Sequence, residues 1–161
     1  MLWNNPPLVI YHATKKSNAK RILDEGIKLD FASPRSDFGY GFYTTTSYDQ
    51  AVMFGRKYRN DSAILKYTVA RNRLSDMSVL FFTRPDDECN YWDFIRHCRT
   101  NSYARHFSND DRRYDIVIGP VARVWDQKPF EAYVGYDQIS FHTEQSVLAL
   151  NSCVSTVNDL L

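Results

Sequence analysis

Three short segments gather side chains whose types could do chemistry: Tyr11-His12-Ala13-Thr14, Asp37-Phe38-Gly39-Tyr40-Gly41-Phe42-Tyr43-Thr44-Thr45 and Asp137-Gln138-Ile139-Ser140-Phe141-His142-Thr143. An imidazole can donate, accept or carry a proton. Aromatic rings can stack on a planar ligand, and a side-chain amide offers a donor and an acceptor without charge. Each segment taken alone also has a structural reading. A histidine at a strand end is commonly a satisfied structural residue, Gly-x-Gly followed by aromatics is common in turns, and a glutamine at a strand start commonly caps or faces solvent. Gly39-x-Gly41 lacks the full dinucleotide fingerprint and does not follow a strand within a βαβ unit. His12, His97, His106 and His142 raise a metal or two-histidine ribonuclease reading. No pair has helical ligand spacing and no Cys/Asp/Glu cluster accompanies them, so no metal is expected.

The elements that must position these residues follow from periodicity and punctuation. Leu8 to Tyr11 is an apolar strand candidate after Pro6 and Pro7. Ser17 and Asn18 are N-cap types and Gly26 is a C-terminal stop, which predicts a helix over about 18–25. Ser47 and Gln50 have capping-box spacing, and Ala51, Phe54, Gly55 and Tyr58 recur at helical intervals, which predicts a helix over about 48–58. Ala63, Leu65, Tyr67 and Val69 alternate as a half-buried strand. Val79 to Thr83 reads as a strand, and Trp92, Ile95 and Cys98 as a helix. Ile116 to Val121 is an apolar run that Gly119-Pro120 should bend or end. Ile139 to Thr143 reads as a strand, and Val147, Leu150 and Val154 as a closing helix. Without regular βα alternation, the class is α+β, mainly antiparallel.

In order and spacing the segments resemble the ADP-ribosyltransferase superfamily of the diphtheria-toxin and poly-ADP-ribose-polymerase type, whose signature is a His, then a Tyr, then a Glu. The chain is most similar to a bacterial family of small stand-alone domains in that superfamily. The matching phrases are Tyr11–Thr14, Asp37–Thr45, Tyr114–Ala122 and Asp137–Glu144, and the resemblance covers about residues 8 to 150. It implies split antiparallel sheets with flanking helices, and a cleft holding NAD+ as co-substrate in a bent form. It places His12 on the adenosine ribose, the main chain of Ala13 (usually Gly) on the nicotinamide amide, and Thr14 where the family has Ser. Tyr43 would stack on the nicotinamide ring and Phe54 cover its other face, with Tyr11 and Phe42 in the same pocket. Gly39 and Gly41 would let the loop backbone approach the dinucleotide, and Arg35 would meet the pyrophosphate. The third-motif position is Gln138, where the broad pattern has Glu. The resemblance thus implies His12, Tyr43 and Gln138 as catalytic residues. Glu144 lies six residues on, roughly 20 Å along an extended strand, and suits a helix N-terminus instead.

Composition bounds the rest. A chain of 161 residues fits one domain, which the resemblance implies is a single ADP-ribosyltransferase-like domain over 1–161. Aromatic residues make up 15%; core packing is the first explanation, and a stacking pocket the second. A net charge of +1 gives no whole-molecule field that would select nucleic acid or a membrane. Arg96, His97, Arg99, Arg105, His106, Arg112 and Arg113 do concentrate positive charge beside Tyr103 and Phe107, a pattern suited to single-stranded nucleic acid. Asp110 and Asp111 interrupt it, so a solvated face is preferred. Cys89, Cys98 and Cys153 form neither a disulfide framework nor a metal knuckle. With no signal peptide and no spanning stretch, a cytoplasmic protein is expected.

The expected activity is mono-ADP-ribosyl transfer to a macromolecular acceptor, RNA, DNA or protein. The resemblance suggests a bacterial or phage toxin or defence effector, with a cognate antitoxin as a possible partner. The alternative is an inactive NAD or ADP-ribose binding module. RNA 2′-phosphotransfer ranks lower, because it needs Arg or Lys where the chain has Ala13 and Tyr43.

Overall fold

The alternation of Ala63, Leu65, Tyr67 and Val69 produces the strand it predicts, and all four side chains are buried. In the computed structural model, which describes residues 5–33, 35–84, 88–100 and 113–157, this strand is the centre of a sheet. Here β3 (Ser62–Val69) lies between β1 (Leu8–Lys15) and β7 (Val154–Val157), antiparallel to both. A second sheet runs in the order β2 (Phe42–Thr44), β6 (Glu131–Phe141), β5 (Ile116–Val124), β4 (Val79–Phe81). Its pairs are antiparallel except β4 with β5. Together with α1 (Lys16–Glu25), α2 (Tyr48–Gly55), α3 (Glu88–Thr100) and α4 (Glu144–Asn151) these strands make a mixed α+β fold. The strands β1 and β2 join the two sheets through an isolated bridge, in which Tyr11 and Thr45 exchange N–H to C=O bonds of 2.8 and 2.9 Å.

The second sheet is covered on both faces. One apolar cluster gathers Ile10, Leu65, Tyr67, Phe42, Ile116, Phe141, Val147 and Leu150 between the sheets and helices. Another places Tyr91, Phe94, Ile95 and Cys98 of α3 against Phe38, Val117 and Ala122. Neighbours Ile116 and Val117 point to different clusters, as the period of two requires. A strand buried on both sides reads as a continuous apolar run, which is why 116–121 shows no alternation.

Several boundaries differ from the expectation. The first helix starts at Lys16 with no side-chain cap, and Asn18 donates instead to Thr14 Oγ1 at 3.3 Å. Gly26 does close it, at φ 82°, a conformation that favours glycine. Helix α2 ends at Gly55 and continues as a 3-10 turn. Gly119-Pro120 does not end β5; the strand continues to Val124 with register shifts after Pro120. The strand β6 begins at Glu131 rather than at Ile139, because its first half is largely exposed, is interrupted by Gly135 and shows no in-out alternation. Val154 lies in β7 and not in a helix. Among the described residues, no helix is long and apolar enough to cross a membrane.

Candidate functional site

Three segments far apart in sequence meet at one cleft of about 500 Å³. The strand β1 contributes Tyr11, His12, Ala13 and Thr14, β2 contributes Phe42 and Tyr43, and β6 contributes Gln138. Arg35, Gly41 and Phe54 also line it, while Gly39 lies behind the wall. Gly39 is buried at φ 81°, so its freedom serves the turn. At Gly41 a Cβ would sit 2.8 Å from the His142 ring, so its small size serves a close approach inside the protein.

His12 sits over Phe42, ring centroids 4.2 Å apart. Its Nδ1 lies 2.7 Å from the Tyr43 carbonyl oxygen. A carbonyl only accepts, so Nδ1 carries the proton. Burial lowers the pKa to about 4, with the Tyr43 hydrogen bond raising it and nearby Lys57 lowering it further. The ring is therefore neutral at physiological pH, and Nε2 is an acceptor. No described protein group occupies that nitrogen, and the ring keeps some surface open to the cleft.

Tyr43 is fixed at both ends. Its hydroxyl donates to the Gly39 carbonyl at 2.7 Å and accepts from the Phe38 N–H at 2.9 Å. Phe38 backs its ring at 6.4 Å and 25°. Burial, then the nearby Asp37 carboxylate, push the hydroxyl pKa well up, so it stays protonated and is no base. What it offers the cleft is a ring held at a set angle. Phe54 is 39% exposed and packs edge-on against Tyr136, centroids 6.1 Å apart. It stands where a planar ligand could be covered.

Gln138 is positioned through its neighbour. The Asp137 carboxylate accepts from Thr45 Oγ1 at 2.6 Å, the Thr46 N–H at 3.0 Å and the Thr46 hydroxyl. The Gln50 side chain bonds both backbone groups of Asp137, at 2.6 and 3.0 Å. Ser47 caps α2 as predicted, but Gln50 crosses to β6 instead of completing a capping box. These contacts clamp the middle of β6 onto the turn after β2 and onto α2.

Asp37 and Arg99 were legible as residue types but not as site residues. Asp37 reads locally as a turn former and Arg99 as part of a basic surface patch. Instead Asp37 is 3% exposed and pairs with Arg99, and both line the cleft. Arg96 pairs with Asp93 and lies over Phe130. Tyr103, Arg105, His106, Phe107 and Arg112 of the expected patch lie outside the described residues. The cleft wall carries five cationic side chains, Arg21, Lys28, Arg35, Lys57 and Arg99, against two carboxylates, Asp37 and Asp137. Its local field favours an anion.

His142 stands apart from the cleft. It is 1% exposed and bonds the Ser140 hydroxyl and the Tyr40 carbonyl. Glu144 opens α4, which Thr143 and Ser146 cap reciprocally. Among the described residues, no group of three or more His, Cys, Asp or Glu is placed to hold a metal ion.

A family model described as protein of unknown function (DUF3990) matches residues 8–136. The chain belongs to this family. The match takes in His12, Asp37 and Tyr43 and ends two residues before Gln138. No curated protein matches the chain.

Proposed function

We propose that the cleft binds NAD+ and that the protein transfers ADP-ribose from it to a macromolecular acceptor, nucleic acid or protein. The observation that carries this reading is the convergence of His12, Tyr43 and Gln138, 126 positions apart at the extremes, on one cleft with a cationic wall. A volume of about 500 Å³ falls within the range of small-molecule sites. The cationic wall suits a pyrophosphate, and the neutral His12 Nε2 suits a ribose hydroxyl as donor. Tyr43 and Phe54 offer rings to the nicotinamide.

The reaction asks little covalent chemistry of the protein. The bond between ribose C1′ and the nicotinamide nitrogen breaks, and its electron pair goes to the ring, which sheds its positive charge. The acceptor's nucleophilic atom forms the new bond to C1′ and gives up its proton to solvent. The cleft's task is to hold ring and sugar and to stabilise the oxocarbenium-like sugar between.

A second reading, NAD+ or ADP-ribose binding without turnover, is favoured by the neutral amide of Gln138 where the broader pattern has a carboxylate. Incubation with labelled NAD+ and a cell lysate decides between them. Nicotinamide release with label on protease- or nuclease-sensitive material supports transfer; binding without release supports the module; binding of neither NAD+ nor ADP-ribose removes both. The cellular setting we favour, a bacterial or phage toxin or defence effector in the cytoplasm with an antitoxin partner, rests on the resemblance alone.

A further inference from the structure

Gln138 Nε2 lies 2.7 Å from Asp37 Oδ2 and 2.7 Å from the Pro120 carbonyl oxygen. Both neighbours offer only lone pairs, so the nitrogen, not the oxygen, must face them. Asp37 is itself held in place. Arg99 donates to its Oδ1 from Nε at 2.7 Å and from an Nη, and the Ala122 N–H donates to Oδ2 at 2.9 Å. With both amide hydrogens spent behind it, Gln138 has its Oε1 left. No described donor takes that oxygen, it is not sealed from solvent, and the residue lines the cleft.

We propose that Asp37, anchored by Arg99, is a positioning residue that locks the Gln138 amide with its carbonyl oxygen toward the cleft, so that this point accepts a hydrogen bond from a ligand hydroxyl. The lock belongs to the folded protein and needs no ligand. That the hydroxyl belongs to the ribose of NAD+ rests on the function proposed above. The arrangement also explains how glutamine can stand where a carboxylate is expected. The face shown to the ligand is an acceptor in either case, and the carboxylate is one hydrogen bond behind it.

Substitution at 138 tests the lock. In Gln138→Glu a carboxylate would meet the Asp37 carboxylate and the Pro120 carbonyl with no hydrogen to share. Its folded-state pKa would rise above the ordinary Glu value, so full stability is present at low pH and is lost as pH rises through the folded pKa. Urea denaturation should place Gln138→Glu below wild type at pH 7, with the gap closing as pH falls. The double variant Asp37→Asn with Gln138→Glu restores a donor between the two positions and should be more stable at pH 7 than the two single losses combined. Equal stability of Gln138→Glu and wild type at pH 7, or a double variant no better than the two single losses combined, overturns the lock.

The amide itself is a second readout. In the ligand-free protein, the side-chain amide protons of Gln138, assigned by their absence in Gln138→Ala, should exchange slowly with water. They should exchange faster in Asp37→Asn. Fast exchange in wild type overturns the proposal even if Asp37→Asn fails to fold. With NAD+ as the probe, Asp37→Asn should lower kcat about tenfold, the loss of one oriented hydrogen bond, with KM little changed. If wild type binds no NAD+, the functional reading falls while the denaturation and exchange results still decide the lock.

Discussion

His12 and Tyr43 are 31 positions apart, yet a hydrogen bond from the His12 Nδ1–H to the Tyr43 carbonyl, 2.7 Å long, reinforces inside the cleft the Tyr11–Thr45 bridge between β1 and β2. It fixes the tautomer of the ring and leaves Nε2 as an acceptor. Its partner in shaping the cleft is Gln138, whose Oε1 is an acceptor for a different reason. A ligand that satisfies both must bring hydroxyls or other donors.

The depressed pKa of His12 makes a pH prediction. In the unfolded chain a histidine titrates near 6.5, while in the folded protein the value is about 4 because burial disfavours the charged ring. As pH falls from 6.5 towards 4, the unfolded state takes up a proton that the folded state does not. Stability is therefore present above pH 6.5 and is lost through that window, by roughly 3 kcal/mol in all. His12→Gln should flatten this part of the pH dependence in chemical denaturation. A variant whose stability falls with pH as wild type does would remove His12 as the cause.

Tyr43 separates a structural from a binding role. Tyr43→Phe deletes the hydroxyl that accepts from Phe38 and donates to Gly39, and should cost about 1–3 kcal/mol of stability with the ring retained. Its NAD+ affinity in titration calorimetry should stay near wild type. Tyr43→Ala removes the ring, and its NAD+ affinity should drop by roughly 1–3 kcal/mol. If both variants bind NAD+ as wild type does, the ring is not a stacking surface.

Arg99→Ala should destabilise rather than merely weaken a nucleic-acid contact. It leaves the Asp37 carboxylate, 3% exposed, without its cation. Because Arg99 is 27% exposed, the loss should fall near or somewhat below the roughly 3–5 kcal/mol of a fully buried pair. Thermal and urea unfolding check this. Any fall in target binding by this variant is interpretable only after its stability is known.

Tyr67 offers a prediction of opposite sign. Its hydroxyl is buried among apolar side chains with no hydrogen-bond partner among the described residues. Tyr67→Phe removes a polar group that gains nothing in the folded state, and should be neutral or stabilising by up to about 1–3 kcal/mol. A clear loss of stability would mean that the hydroxyl has a partner after all.

The sequence by itself determined the strongly periodic elements and the punctuated turns. The strand over Ala63–Val69, the Ser47 cap, the Gly26 stop and the Glu144 helix start depend on neighbours within a few positions, where local hydrogen bonds and side-chain period decide. It also marked His12, Tyr43, Phe54 and Gln138, all of which line the cleft. Only the tertiary structure decided what these residues can offer. The tautomer of His12 depends on a carbonyl 31 positions away, and the orientation of the Gln138 amide on a carboxylate 101 positions away. Asp37 and Arg99 carry no local sign of their pairing, because a turn aspartate and a helix arginine look the same whether or not they meet. Gln50 had a sound local role as a capping residue, and a contact with Asp137, 87 positions away, displaced it. Contacts between distant segments have no period in the sequence, so the chemistry of this cleft appears only once the two sheets are joined.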